Sequence, residues 1–247
     1  MAVFGIVETW RETLRLTRRD FGVHATLAAA FVLLPAIALD VFGPAQPTKF
    51  SQMTGTVVLL QGVLALIGAI SQLAIARLTI SGGTPREALG HALIVLPRLI
   101  VVAFLTTLPL VPALLILQAA IAGVQAAALP GLILIIPGLY AAARLSLAMP
   151  ALASRRIGPV AALRQSWAAT SGNGWRLLGF MAMMLMLMFG LLVLASGVGN
   201  AIGSLLTLAG SKALAHFIVA LLGAAVAAVY AVYSSVGLAT AYKRLVG

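Results

Sequence analysis

The side chains best suited to hold a metal ion or move a proton are five acids and three histidines: Glu8, Glu12, Asp20, Asp40, Glu87, His24, His91 and His216. Metal-assisted cleavage of a phosphodiester needs carboxylates gathered round an ion, or a histidine pair. The acids are scattered along the chain, and the histidines fall in three different segments. There is no cysteine, so disulfides, zinc-thiolate sites and thiol nucleophiles are excluded. No His-Glu-x-x-His motif and no pair of acids within apolar stretches suggests an intramembrane protease. "GVGNAIG", Gly197 to Gly203, has the wrong spacing for a dinucleotide loop. It reads as a turn or a close helix contact, with Gly199 and Gly203 as a small-xxx-small pair. The run Met181, Met183, Met184, Met186 and Met188 reads as lipid-facing or core filler, not as a metal path. No catalytic residue, metal or cofactor is expected.

Arginine remains. The stretch "PGLYAAARLSLAMP", Pro137 to Pro150, is apolar except for Arg144. The elements that must place this charge follow from composition. Of 247 residues, 62% are hydrophobic and 9% charged, with mean hydropathy +1.11. A soluble domain carries about 25% charged residues. Too little polar surface remains for a water-soluble globule, so the expectation is an all-α integral membrane protein. The net charge of +11 reads as a cytoplasmic excess facing anionic lipid. Nucleic-acid binding is not expected, because no soluble basic domain is present to carry it.

Six stretches reach the roughly 20 apolar residues a membrane helix needs. They run from Phe21 to Phe42, Gly55 to Ile80, Leu99 to Ile121, Val124 to Leu152, Leu177 to Ser196, and Ala213 to Ala241. Continuous apolar runs, without alternation, argue against barrel strands. Pro109 and Pro112 predict a kink in the third. Glu8, Glu12 and Asp20 before the first stretch suit a cleaved signal poorly. Arg11, Arg15, Arg18, Arg19, Arg77, Arg86, Arg98, Arg144, Arg155, Arg156, Arg164, Arg176, Lys243 and Arg244 fall on one side. Only Lys49 and Lys212 fall on the other. This asymmetry places both termini in the cytoplasm.

Amphipathic segments precede alternate spans. Val7, Trp10 and Leu14 share a face within residues 1–20, Leu89, Ala92 and Leu96 within 83–98, and Val160, Leu163 and Trp167 within 158–174. Such helices lie flat at the membrane interface. The order of interfacial helix, span, short outside loop and span occurs three times, so six helices are expected as three hairpins. "AIARLTIS" around Arg77 matches "AAARLSLA" around Arg144.

Residues 134–180 carry further pattern: Pro137-Gly138 before Tyr140, Arg-Leu-Ser-Leu ending in Pro150, Gly158-Pro159, Ala162-Leu163, Ser166-Trp167 and Trp175-Arg176-Leu177. This order resembles the multi-pass membrane domain attached to some bacterial glycerophosphodiester phosphodiesterases, which also occurs as a stand-alone inner-membrane protein. "ASRRIG" departs from the acidic or glycine-rich linker common there. The resemblance implies a helical domain of the bacterial inner membrane. It does not imply phosphodiesterase activity, because the catalytic part of such enzymes is a separate soluble barrel.

Two function classes stay open. One is a non-catalytic protein of lipid or envelope homeostasis. It would hold anionic membrane lipid through Arg77, Arg144, Arg155, Arg156, Arg164 and Arg176, with a membrane-protein partner or a second copy of the chain compatible. The other is a small transporter or permease component, which a proline-broken span would suit. Against that, Gln61, Gln72 and Gln118 are among the few polar residues in the spans.

Overall fold

The computed structural model describes residues 4–44, 54–121 and 128–246. Among these residues every regular element is a helix. Six helical runs are long and apolar enough to cross a membrane: Phe21–Phe42, Gly55–Ser81, Pro85–Ala119, Leu129–Ser154, Gly174–Leu208 and Lys212–Val246. Lys49 and the expected start of the fourth span at Val124 lie outside the described residues.

Helix α1 (Ile6–Arg19) leads through Asp20 into the first run. That run consists of α2 (Phe21–Ala28), a wide π turn (Ala29–Leu33) and α3 (Leu34–Phe42). Pro35 lacks an N–H and crowds the carbonyl one turn back, which accounts for the wide turn just before it. Helix α4 (Gly55–Ser81) ends at Gly82 and Gly83, both at positive φ (68° and 93°), where glycine suffers no Cβ penalty.

Helix α5 (Pro85–Thr107) starts at a proline, closed by a capping box between Thr84 and Glu87. It corrects the reading of 83–98 as a separate helix. The chain stays helical through Pro97 and into the apolar run. The expected kink falls later, at a 3₁₀ turn (Leu108–Leu110) that joins α5 to α6 (Val111–Ile121). Helix α7 (Ala128–Leu145) breaks before the short helices α8 (Ala148–Ser154) and α9 (Pro159–Ala169).

The fifth span is also longer than its apolar run suggests. Helix α10 (Gly174–Leu208) continues through "GVGNAIG", and the expected loop over 197–212 shrinks to a turn at Ala209–Ser211. The glycines there pack instead of turning. A Cβ on Gly199 or Gly203 would meet Val219 of α11 (Lys212–Val246) at ordinary contact distance. Gly210, at φ 83°, makes the turn.

Helix α11 packs against α10, α4, α1 and the whole first run. Helix α6 packs on α7, and α4 on α5. The buried core gathers at one end of the bundle, around Leu73, Ile75, Val95, Leu147, Leu152, Leu177, Phe180 and Val236. Apolar side chains away from this core, such as Phe42 (87% exposed) and Leu208 (86%), stand bare. The same end gathers the chain's two described termini. Phe4 N donates to Asn173 Oδ1 (3.0 Å), and Arg244 pairs with Glu8 (3.1 Å). At the other end His216 sits 3.3 Å from the Asp40 carboxylate.

Helices α1 and α9 dock by small faces. Thr9, Thr13, Leu16 and Thr17 of α1 are buried, as are Ala162 and Ser166 of α9. Thr9 and Thr13 turn their hydroxyls onto Gly5 O (2.7 Å) and Thr9 O (2.8 Å), so burying them leaves no orphan donor. The apolar faces are split: Val7, Val160 and Trp167 are exposed, whereas Trp10 and Leu163 pack against the core.

Helix α7 approaches its neighbour through two glycines seven residues apart. A Cβ on Gly138 would lie 2.9 Å from the Pro109 carbonyl oxygen, and one on Gly131 3.2 Å from Leu117 N. Both obstacles are backbone, which cannot rotate away. Gly138→Ala is expected to cost about 1–3 kcal/mol of stability in detergent. Gly190→Ala, where a Cβ meets nothing within 4 Å, is expected to leave the melting temperature unchanged or raised. Equal melting temperatures for the two variants would refute the close approach.

Candidate functional site

Two short helices, α8 and α9, create a local problem. The last carbonyls of a helix have no partner within it, and these ends sit beside the buried core. Three of the last carbonyls of α8 find partners, one within α8 and its cap and two on other helices. Ala151 O receives Arg155 N (3.2 Å) and Ser154 Oγ (2.8 Å). Leu152 O receives His91 Nε2 (2.9 Å) from α5. Ala153 O receives Arg77 Nη1 (3.0 Å) from α4. His91 must therefore donate from Nε2, because a carbonyl only accepts.

The end of α9 is closed by α7. Arg144 Nη2 donates to Trp167 O (2.6 Å), and Arg144 Nε to Thr170 Oγ1 (3.1 Å). The guanidinium carbon lies 3.8 Å from the centre of the Trp167 ring and 5.9 Å from that of Tyr140. Ser166 Oγ returns a bond to the Arg144 carbonyl (2.6 Å). Tyr140 in turn stacks on Trp175 at 4.9 Å. A Cβ on Gly174 would lie within 2.9 Å of three Tyr140 ring and hydroxyl atoms, so a side chain there would push that ring from its place. Arg144 thus sits in the last turn of α7, held by carbonyl, hydroxyl and π faces, with no acid needed. Tyr140, Arg144, Ser166, Trp167 and Trp175 of this clip all fall within residues 134–180.

The six arginines therefore divide. Arg77, Arg155 and Arg156 line one cavity of about 500 Å³, together with Glu87, Gly90, His91, Ile94 and Ser154. Arg144 is consumed by the clip on α9. Arg164 and Arg176 are exposed and line no part of this cavity. Arg77 and Arg144, apparent repeat mates, use the same chemistry on different helices.

The cavity lies where the ends of α4 and α8 meet the start of α5. Ile157 N donates to Arg155 O (2.9 Å), closing a tight turn about Arg156 that brings adjacent arginines to one rim. Neither guanidinium has a protein partner among the described residues, whereas Arg77 has one. Glu87 is tied to Thr84 N (3.4 Å) through the capping box. The sequence reading missed Glu87, Gly90, His91 and Ile94 as a group. Their spacing of i, i+3, i+4 and i+7 marks one helical face and could have found them.

Other polar groups are left over in the spans. His24 is 1% exposed with neither ring nitrogen partnered, and Ser71 Oγ and Arg98 Nη1 are buried without partners. The unbroken α5 carries Arg98 about 20 Å along the helix from Pro85. Among the described residues no three His, Asp or Glu side chains gather to hold a metal.

These features define a class, a multi-pass helical membrane protein with a packed basic end. In comparisons with known proteins, no family model, curated protein or solved structure matches this chain.

The clip can be dissected. Arg144→Lys should cost about 1–3 kcal/mol of stability in detergent, by losing the fork of charged donors. Trp167→Leu keeps the carbonyl and removes only the ring. The double variant is expected to fall short of additivity by roughly 0.5–2 kcal/mol. Strict additivity would show that the ring contributes nothing to holding Arg144.

Proposed function

We propose that this is a non-catalytic protein of the bacterial inner membrane, with both termini cytoplasmic, that holds anionic lipid at its cytoplasmic face in lipid or envelope homeostasis. The observation that carries the reading is the cavity at the basic end, where three arginines outnumber one carboxylate. An excess of Lys and Arg on one side marks that side as cytoplasmic and attracts anionic headgroups. The outward faces of α1 and α9 add support. Val7, Val160 and Trp167, with Trp175 beside them, expose large apolar groups next to arginines, as an interfacial helix does. The resemblance to the phosphodiesterase-associated membrane domain points the same way, toward lipid and not toward catalysis.

A second reading, a small transporter, rests on the buried and unpaired His24, with Ser71 on a helix that packs beside it. An ionisable group inside a span is a functional candidate by default.

The chain's lack of cysteine makes topology testable with single introduced thiols. Ser211→Cys should react with an impermeant thiol reagent in intact cells with a permeabilised outer layer. Ser171→Cys should react only after lysis. The opposite pattern would reverse every side assigned here. Function divides on two measurements. Lipid mass spectrometry of the purified protein should find one anionic class enriched over the bulk membrane. Solute flux into proteoliposomes that His24→Phe abolishes would favour transport instead. Hydrolysis of glycerophosphodiesters surviving rigorous purification would refute the non-catalytic reading.

A further inference from the structure

We infer that the cavity between α4, α5 and the α8–α9 loop is a specific site for a phosphate ester, seated headgroup-first with an apolar tail along α5. This rests on the reading that the basic end meets anionic lipid, and narrows it to one pocket and one chemistry.

Charge and donor supply select the ligand. Arg77, Arg155 and Arg156 stand against the single acid Glu87, three basic side chains to one acidic at the rim. Arginine presents five N–H donors in a planar fork suited to phosphate oxygens. Arg77 spends one on Ala153 O, a bond that fixes its aim, and keeps the rest. Arg155 and Arg156 keep all of theirs. The volume, about 500 Å³, lies within the range of small-molecule sites.

Shape supplies the second argument. Gly90 stands in the wall where a side chain would project into the cavity, and a Cβ there meets nothing within 4 Å. Helix stability alone favours almost any other residue at that place, since glycine costs about 1 kcal/mol against alanine. The position thus keeps space open at some expense to the helix.

The third argument concerns where the tail goes. Ile94 lines the cavity and is 51% exposed. Beyond it Pro97, Val101 and Phe104 continue the same face of α5, all exposed and apolar. From Ile94 to Phe104 is ten residues, about 15 Å of helix. That matches one leaflet of a hydrocarbon core about 30 Å thick. A soluble phosphate would use only the arginines, whereas a lipid phosphate would use both.

The test uses the full chain in neutral detergent, with short-chain phosphatidic acid, phosphatidylcholine, glycerol 3-phosphate and inorganic phosphate as separate probes in calorimetry. Wild type should bind phosphatidic acid and not phosphatidylcholine. Gly90→Leu should fold at least as stably and lose binding by about tenfold or more through occlusion. The double variant Arg155→Gln, Arg156→Gln should lose it similarly. Arg86→Gln removes one charge from the same helix but lines no part of the cavity, and should bind as wild type does. Glycerol 3-phosphate competing as strongly as the lipid would keep the site and make its occupant a soluble ester. Unchanged binding in Gly90→Leu, or equal losses in Arg86→Gln and the double variant, would overturn the pocket while leaving a general anionic-lipid contact intact. No preference for phosphatidic acid in wild type, with no anionic lipid enriched on purification, would overturn both.

Discussion

The basic end is organised by unsatisfied backbone carbonyls. Within a bilayer every peptide group needs a partner supplied by protein. A helix that crosses in one piece meets that demand except at its ends. This chain places two short helices, α8 and α9, beside its most buried core, and so multiplies ends where water is scarce. Arg77, Arg144 and His91 answer them, each reaching from a different long helix. A cation at a helix C-terminus also meets the negative end of the helix dipole. The hydrogen bonds therefore fix how α4, α5 and α7 sit round α8 and α9. The free arginines are those the carbonyls do not need.

That division explains what could be read from the sequence and what could not. The spans were legible because a continuous apolar run of membrane length fits poorly anywhere but in a bilayer. Their ends were not. Residues 85–98 are amphipathic and 99–107 apolar, yet both have helical period, so a change of face marks no break. "GVGNAIG" was readable either as a turn or as a close helix contact. Helix α10 runs through it and sets Gly199 and Gly203 against Val219 of α11, so the partner helix decides between the two.

The candidate site divides along the same line. Arg144 stood out in the sequence as the one charge in an apolar stretch, and the structure puts it in the last turn of α7. Its partners, Trp167 and Thr170, lie 23 and 26 residues away and needed the fold. Arg77 and Ala153 are 76 apart. Six arginines look alike in sequence. Their separation into carbonyl caps, cavity rim and bare surface depends on where α8 stops. The small faces of α1 and α9 show the converse. Of the large apolar residues that announce these helices, Val7, Val160 and Trp167 are exposed while Trp10 and Leu163 pack on the core, and threonine, serine and alanine fill the closest contacts beside them.

The lengths of α10 and α11 set a mechanical condition. Each has 35 residues, which is about 52 Å of helix at 1.5 Å per residue. The hydrocarbon core is about 30 Å thick, and the bilayer with its headgroups about 40–45 Å. A tilt of about 30° shortens 52 Å to about 45 Å, inside the range that membrane helices adopt. The two helices are joined by a three-residue turn and pack together, so they lean as a unit. Helices α8 and α9, which touch α11, sit at the end of that hairpin. A thicker or thinner bilayer changes that angle, and with it the height of the arginine rim relative to the bilayer. With the rim holding lipid headgroups, as proposed above, bilayer thickness and headgroup access are coupled through the slope of a single hairpin.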